Sequence, residues 1–426
     1  MLITEKTISQ LYAGWIAKVI GVRLGAPVEG WTYRMIQEKY GTIEGYISDF
    51  RNFAADDDTN VPIFFIRALE KWDKDHELEA ADVAQALLDY APYEHGFFWW
   101  GGYGMSTEHT AYQNLINGIP APRSGSIAQN GAAVAEQIGG QIFIDTWGLV
   151  SPGRPELAAR MARAAASVTH DGNGVYGGIF IACCISIAYT EQVIRKILNK
   201  ALTFIPDDCE YARAVRAVMD YHERHPGNWR ECFSYIYENF GYDKYPGNCH
   251  IIPNICVMIL SLLYGEGDFD ATLEICTMCG WDTDCNVGNV AAIMGVRGGI
   301  MAINYEKWRR PVNDLLICSG SLGTLNIQTI PQGADYLLKM MLRLGYELPG
   351  AWEALVSSPK SHLSHFEYQG STCCMRARTQ EGEGKLSLSN TDRQAGIFGK
   401  TLSSDSGKPH REGGGFPKNI LFSKGF

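Results

Sequence analysis

The stretch Ile8-Ser-Gln-Leu11-Tyr12-Ala-Gly-Trp15-Ile16-Ala-Lys-Val19 decides the fold. Its large apolar side chains fall at i, i+3, i+4, i+7, i+8 and i+11, the spacing that lines them along one face of an α-helix. The same spacing returns in Val61, Phe64, Phe65, Ala68, Leu69 and Trp72, with Pro62 early enough to occupy a first helical turn. Further helical runs are expected over residues 157–168, 193–202, 211–222, 251–263 and 334–344. Alternating apolar and polar residues of the strand kind are scarce before residue 355. The expectation is an all-α fold, a helical bundle occupying residues 1–355.

Beyond Trp352 the texture changes. Ser, Gly, Thr and Lys become frequent, and short alternating pieces such as His365-Phe-Glu-Tyr368 and Lys385-Leu-Ser-Leu-Ser389 replace the helical spacing. Residues 356–426 are expected to form a β-strand-like tail, either a small, incomplete sandwich or a partly disordered segment. The helical domain is expected to fold without it.

Composition narrows the partners. The 426 residues are 46% hydrophobic and 20% charged, enough for one large globular domain with an appendage. A net charge of −10, with no Lys/Arg run interleaved with aromatics, excludes nucleic acid from the expected partners. The longest apolar stretch, Ile179 to Tyr189, is about half of the ~20 residues that a membrane-spanning helix needs. It reads as a buried helix, and no membrane partner is expected. The opening MLITEKTISQ lacks the basic and apolar pattern of an export signal, so a cytoplasmic location and free thiols for the twelve cysteines are expected.

Two acidic clusters carry the candidate chemistry. The first is Asp56-Asp57-Asp58-Thr59-Asn60, ahead of the helix expected from near Val61. One Asp there would cap the helix; three adjacent carboxylates repel one another unless a cation or solvent lies between them. The readings are a hard-metal site and a solvated acidic turn. The second cluster, Gly280-Trp281-Asp282-Thr283-Asp284-Cys285-Asn286, precedes an amphipathic helix through Val287, Val290, Ala291 and Met294. Asp-x-Asp in an extended segment points both carboxylates to one side. Two such turns in an apolar bundle suit convergence on one or two cations, with double capping as the plain alternative.

Three motifs in order resemble the ADP-ribosylglycohydrolase family. They are Gly21-Val-Arg-Leu-Gly25-Ala-Pro27-Val-Glu29, then Asp57-Asp58-Thr59, then Gly280-Trp-Asp282-Thr-Asp284. The resemblance spans residues 1 to about 345. It implies an all-α fold and two Mg²⁺ or Mn²⁺ ions, held by Asp56, Asp57 and Asp58 from one turn and Asp282 and Asp284 from the other. It implies a cleft that grips a ribose-like diol and cleaves its anomeric bond. Glu29 corresponds to the family's glutamate near the metals, a group to position or deprotonate the attacking water, and Asp284 is the second catalytic candidate. Ser126-Ile-Ala-Gln-Asn130-Gly131 and the segment around His170 resemble cleft-lining stretches, so Asn130, Gly131, His170 and Trp281 are the expected substrate contacts. For Asn130 and His170 a structural hydrogen-bonding role is the alternative.

Three departures mark a divergent branch. Val22 stands where the family usually has Asp, Trp281 replaces a usual second glycine, and Cys285 stands where a Thr or Ser hydroxyl commonly completes the metal shell. A thiol is a poor ligand for Mg²⁺, which puts the second metal site in doubt. The aromatic run Phe97-Phe-Trp99-Trp100-Gly-Gly-Tyr103 suits either a stacking wall or core. Gly172-Asn-Gly174-Val-Tyr-Gly177 has dinucleotide-binding spacing but follows a helical segment instead of a strand. Cys276-Thr-Met-Cys279 lacks a second pair and reads as buried thiols.

The function expected is divalent-metal-dependent hydrolysis of an N- or O-glycosidic bond at a ribose-like sugar, with ADP-ribosyl substrates as the family default. The rivals are a carbohydrate or nucleoside hydrolase on the same fold and a metal-binding protein without catalysis.

Overall fold

The computed structural model describes residues 1–48, 57–93, 101–357, 365–378, 386–389, 396–399 and 421–424. Thr4 caps the first helix, Glu5–Gly25: its hydroxyl oxygen accepts from the Thr7 N–H at 3.2 Å, and Glu5 places a carboxylate in the first turn. The spacing of its large residues predicts one apolar face, but every residue from Gln10 to Gly25 is buried. Ala13, Gly14, Ala17 and Gly21 leave the remaining faces small and apolar, and a helix apolar all round is an interior one.

Its main neighbour is the helix Thr283–Gly298, which is buried from Thr283 to Val296 and is likewise more than amphipathic. The two backbones touch. A Cβ at Gly21 would stand 2.4 Å from the Val287 carbonyl oxygen, and one at Gly25 would stand 2.4 Å from the Asp284 amide nitrogen. Two polar side chains on the first helix reach backbone carbonyls inside the bundle. Gln10 Nε2 donates to the Val296 carbonyl at 2.8 Å, and Arg23 Nη1 donates to the Pro311 carbonyl at 2.7 Å.

The other expected runs form Pro155–Ala166, Ile194–Leu202, Glu210–Arg224, Ile251–Tyr264 and Ile330–Arg343. Residues 179–189 fall in the almost wholly buried helix Asn173–Ala188 and its C-cap. The run around Val61 differs from its expectation. Its helix, Asp57–Ile66, puts Asp57 and Asp58 inside the first turn and Pro62 beyond it. A second short helix, Ala68–Lys71, follows after the Arg67 N–H turns to the Phe64 carbonyl at 3.1 Å. No helix among the described residues is long and apolar enough to cross a membrane. All twelve cysteines are free.

The fold is all-α. Strands among the described residues form short antiparallel pairs: Leu315–Ile317 with Ile327–Thr329, Met375–Arg378 with Leu421–Lys424, and Leu386–Ser389 with Gly396–Gly399. The position 355/356 lies inside the helix Gly350–Ser357. His365 to Tyr368, expected as strand-like, is irregular and packs on the bundle. Tyr368 is buried with its ring 4.7 Å from that of Tyr12, and its hydroxyl donates to Asp335 at 2.9 Å. Asp314 accepts from the Cys373 N–H and the Thr372 hydroxyl, each at 3.1 Å. We propose Cys374, instead of Leu355, as the end of the helical unit.

Candidate active site

The close pairing of the two interior helices brings three turns together. The Thr283 hydroxyl donates to the Gly25 carbonyl at 2.8 Å. The Gly30 N–H donates to the Trp281 carbonyl at 2.8 Å, and the Trp281 N–H returns to the Trp31 carbonyl at 2.7 Å. These bonds tie the turn carrying Glu29 to the turn carrying Asp282. They also hold Trp281 in the left-handed region, at φ 67°, a conformation that costs a non-glycine residue about 1–2 kcal/mol. The position where the resemblance expects glycine is thus one whose backbone suits glycine. Here an indole occupies it, stacked on Tyr242 with ring centres 5.0 Å apart and flanked by Phe233 at 5.4 Å.

The turns floor a cleft of about 460 Å³, lined by Glu29, Asp57, Asp282 and Asp284 with Trp281, Tyr242 and Glu108 around them. A larger, more open hollow of about 830 Å³ lies between residues 72–81 and 157–167. There His76 pairs in solvent with Asp75 on the lining and with Asp73 and Asp82 beside it, so the smaller cleft is the candidate site.

Asp282 sits at the N-cap position of Thr283–Gly298, yet its side chain caps nothing. Its Oδ1 is buried and without a hydrogen-bond partner. That disposes of the double-capping alternative for this residue, because a buried carboxylate oxygen left unpaired is costly. Nor is the pair extended: Asp284 stands in the first helical turn, accepting from the Cys285 N–H at 3.0 Å. Donor atoms of Glu29, Asp282 and Asp284 all lie within 4.8 Å of one another, as do those of Asp58, Asp284 and Cys285. Asp284 belongs to both groups. The orphaned oxygen and the crowding of carboxylates fit a bound cation.

The charges respond to this crowding. Burial, with Asp58 close by, pushes the Asp282 carboxyl up to about 6. Partial withdrawal from water, with Asp282 and Asp58 nearby, lifts the Glu29 carboxyl to about 7, although Glu29 stands exposed at the rim. Behind the floor, the Lys18 ammonium donates to Asp58 Oδ1 at 2.9 Å and pairs with Asp145 at 3.2 Å. Burial opposes that ammonium, but Asp145 and Asp58 outweigh it and hold it above the ordinary lysine value. The Cys285 thiol donates to Asp58 Oδ2 at 3.2 Å, and Asn289 Nδ2 donates to Asp145 at 3.0 Å.

Residues 4–342 match the ADP-ribosylglycohydrolase family. The chain belongs to that family. Membership supports a glycohydrolase-type activity for this ADP-ribosylglycohydrolase relative. An uncharacterized protein of Archaeoglobus fulgidus is 23% identical over 305 residues, which cover 69% of this chain and 88% of the relative. A solved structure described as an ADP-ribosylglycohydrolase-related protein complex aligns at 15% identity and a TM-score of 0.49, covering 80% of this chain and 98% of that one.

The family motifs converge: Glu29, Asp57, Trp281, Asp282 and Asp284 line one cleft, with Asp58 buried directly behind. Asp56 lies outside the described residues, as do Phe97 to Trp100, while Tyr103 is exposed. Asn130, Gly131 and His170 are not among the residues lining this cleft. Asn130 accepts from Asn114 at 2.8 Å and donates to the Ser124 carbonyl at 2.7 Å. Gly131 follows it as a helix C-cap at φ 78°. His170 is buried behind Gly139, with Nδ1 2.7 Å from the Thr169 hydroxyl.

Sequence reasoning missed Lys18, Asp145, Asn289 and Glu108. The buried Glu108 carboxylate accepts from the hydroxyls of Ser106 at 2.6 Å and Thr107 at 2.7 Å, while burial raises its pKa. Lys18 carried one signal: it has apolar or small neighbours on every side of an interior helix, with no polar face to join.

Proposed function

We propose that this protein is a divalent-metal-dependent hydrolase of an N- or O-glycosidic bond at a ribose-like sugar, with ADP-ribosyl compounds as the first substrate class. The observation that carries the reading is the unpaired, buried oxygen of Asp282, a carboxylate grouped with those of Glu29 and Asp284 on the cleft floor. Asp57, Asp58, Asp282 and Asp284 would hold Mg²⁺ or Mn²⁺. A cation bound there neutralises the carboxylates, orients vicinal hydroxyls and polarises water.

The residues of the chain do the rest. Glu29, tied to Trp281 through Gly30 and standing at the rim, accepts a proton from the water that attacks the anomeric carbon. Asp284 is the second proton acceptor. The Trp281 and Tyr242 rings form an aromatic wall against which a sugar face or a planar base stacks. That wall also favours a second reading, hydrolysis of nucleosides, in which the leaving group is the base.

The test is turnover of ADP-ribosyl-arginine, ADP-ribosyl-serine, nucleosides and simple glycosides, with Mg²⁺, with Mn²⁺ and with chelator. The expected result is turnover that requires the cation and is lost in Asp282→Asn. Turnover unchanged by chelator overturns metal dependence, and no turnover on the whole panel overturns the hydrolase reading.

A further inference from the structure

The two groups of donors at the cleft floor differ in chemical hardness. Glu29, Asp282 and Asp284 offer only oxygen, which suits Mg²⁺ and Mn²⁺. The inner group replaces one oxygen with the sulfur of Cys285, a residue only 6% exposed. Its Sγ stands 3.2 Å from Asp58 Oδ2, and Asp58 is fixed from its other side by Lys18 at 2.9 Å. Thiolate ligands favour borderline and soft divalent ions over Mg²⁺, whatever the remaining oxygens. The Asp282 oxygen that lacks a partner, in the neighbouring group that shares Asp284, points to a ligand at this floor beyond its own hydrogen bonds.

We propose that Asp58, Asp284 and Cys285 form an inner position that takes a thiophilic divalent cation of the Zn²⁺ or Co²⁺ class, next to an all-oxygen outer position, with Asp284 serving both. The proposal rests on the metal-dependent reading above. Coordination breaks the Cys285 S–H bond, and the proton leaves to the buffer as the sulfur lone pair binds the cation. The competing account is a thiol that only donates to Asp58.

The experiment loads the full-length protein with Co²⁺ and reads the thiolate-to-metal charge-transfer absorption. Parallel equilibrium dialysis follows Zn²⁺, Mn²⁺ and Mg²⁺. Cys285→Ser is compared with Cys249→Ser, since Cys249 also lines the cleft. The expected result is a charge-transfer band in wild type and in Cys249→Ser that is absent from Cys285→Ser. The affinity for Zn²⁺ should fall at least about tenfold in Cys285→Ser, with Mg²⁺ affinity unchanged or higher. Cation binding without the band, or a band that survives Cys285→Ser, overturns the inner position and leaves the metal-dependent reading standing. No binding of any cation to the wild type overturns both.

Discussion

Glu29 lines the cleft and stands exposed at its rim, whereas His170 is buried and does not line it. Glu29→Gln keeps the size of the side chain and removes its ability to take a proton, so kcat should fall by about 10²- to 10⁴-fold. The rise in Tm on adding Mg²⁺ should largely persist, because Asp282 and Asp284 remain. A variant within about twofold of wild type would move the proton-accepting role to Asp284. His170 is a matter of stability. Burial lowers its pKa to about 3, against about 6.5 in an unfolded chain. Both states are neutral above pH 6.5; below it the unfolded chain takes up a proton that the folded one refuses. Stability is therefore lost as pH falls from 6.5 towards 3, with a slope of about 1.4 kcal/mol per pH unit from this residue. Urea unfolding of His170→Gln between pH 6 and pH 4 should show a slope shallower by about that amount, and equal slopes would refute the assignment. Asp57, Asp58, Asp282 and Asp284 were legible in the sequence as candidates because carboxylates clustered just ahead of a helix announce an unusual charge density, whereas Glu29, a single carboxylate, was singled out by the family resemblance. Lys18 and Asp145 were not, since a lone charge in an apolar run gives no sign of the partner that faces it from another helix.

The pairing of helices Glu5–Gly25 and Thr283–Gly298 is the element on which the site stands. Gly25→Ala places a methyl group 2.4 Å from the Asp284 amide and forces backbone apart from backbone. Overpacking of this kind costs about 1–3 kcal/mol and also shifts a candidate cation ligand. Gly14→Ala is the control: its methyl group would meet the side chains of Val296 and Leu149, at the far end of the same interface. Both variants should melt below wild type, and only Gly25→Ala should lose most of the Mg²⁺-induced rise in Tm. Equal responses in the two would separate the glycine contact from the site. The existence of these helices was readable from periodicity, and their burial on every face was not. Periodicity reports where large residues lie on one helix; how closely a second helix approaches depends on small residues from both.

Across the whole molecule, the all-α class followed from the first helix, whereas the end proposed for the helical unit rests on contacts that strand-like composition cannot reveal. Truncation after Cys374 should keep helical circular dichroism and cooperative unfolding. Truncation after Leu355 removes Tyr368, Thr372 and Cys373 from buried Asp335 and Asp314. At about 1–3 kcal/mol for each buried group left unsatisfied, its Tm should fall well below that of the longer product. Melting temperatures within about 2 °C of each other would restore the boundary at 355. The pairing of the first helix with Thr283–Gly298 also sets a timetable for the newborn chain. Gly25 waits for Thr283, 258 residues downstream, which at ribosomal speeds of about 5–20 residues per second is a delay of roughly 10 to 50 seconds. For most of that interval a helix buried on every face in the finished protein, with a lysine destined for burial in its middle, is outside the tunnel without the surface it was shaped to meet, so its fate during synthesis depends on whatever shelters it until the second half arrives.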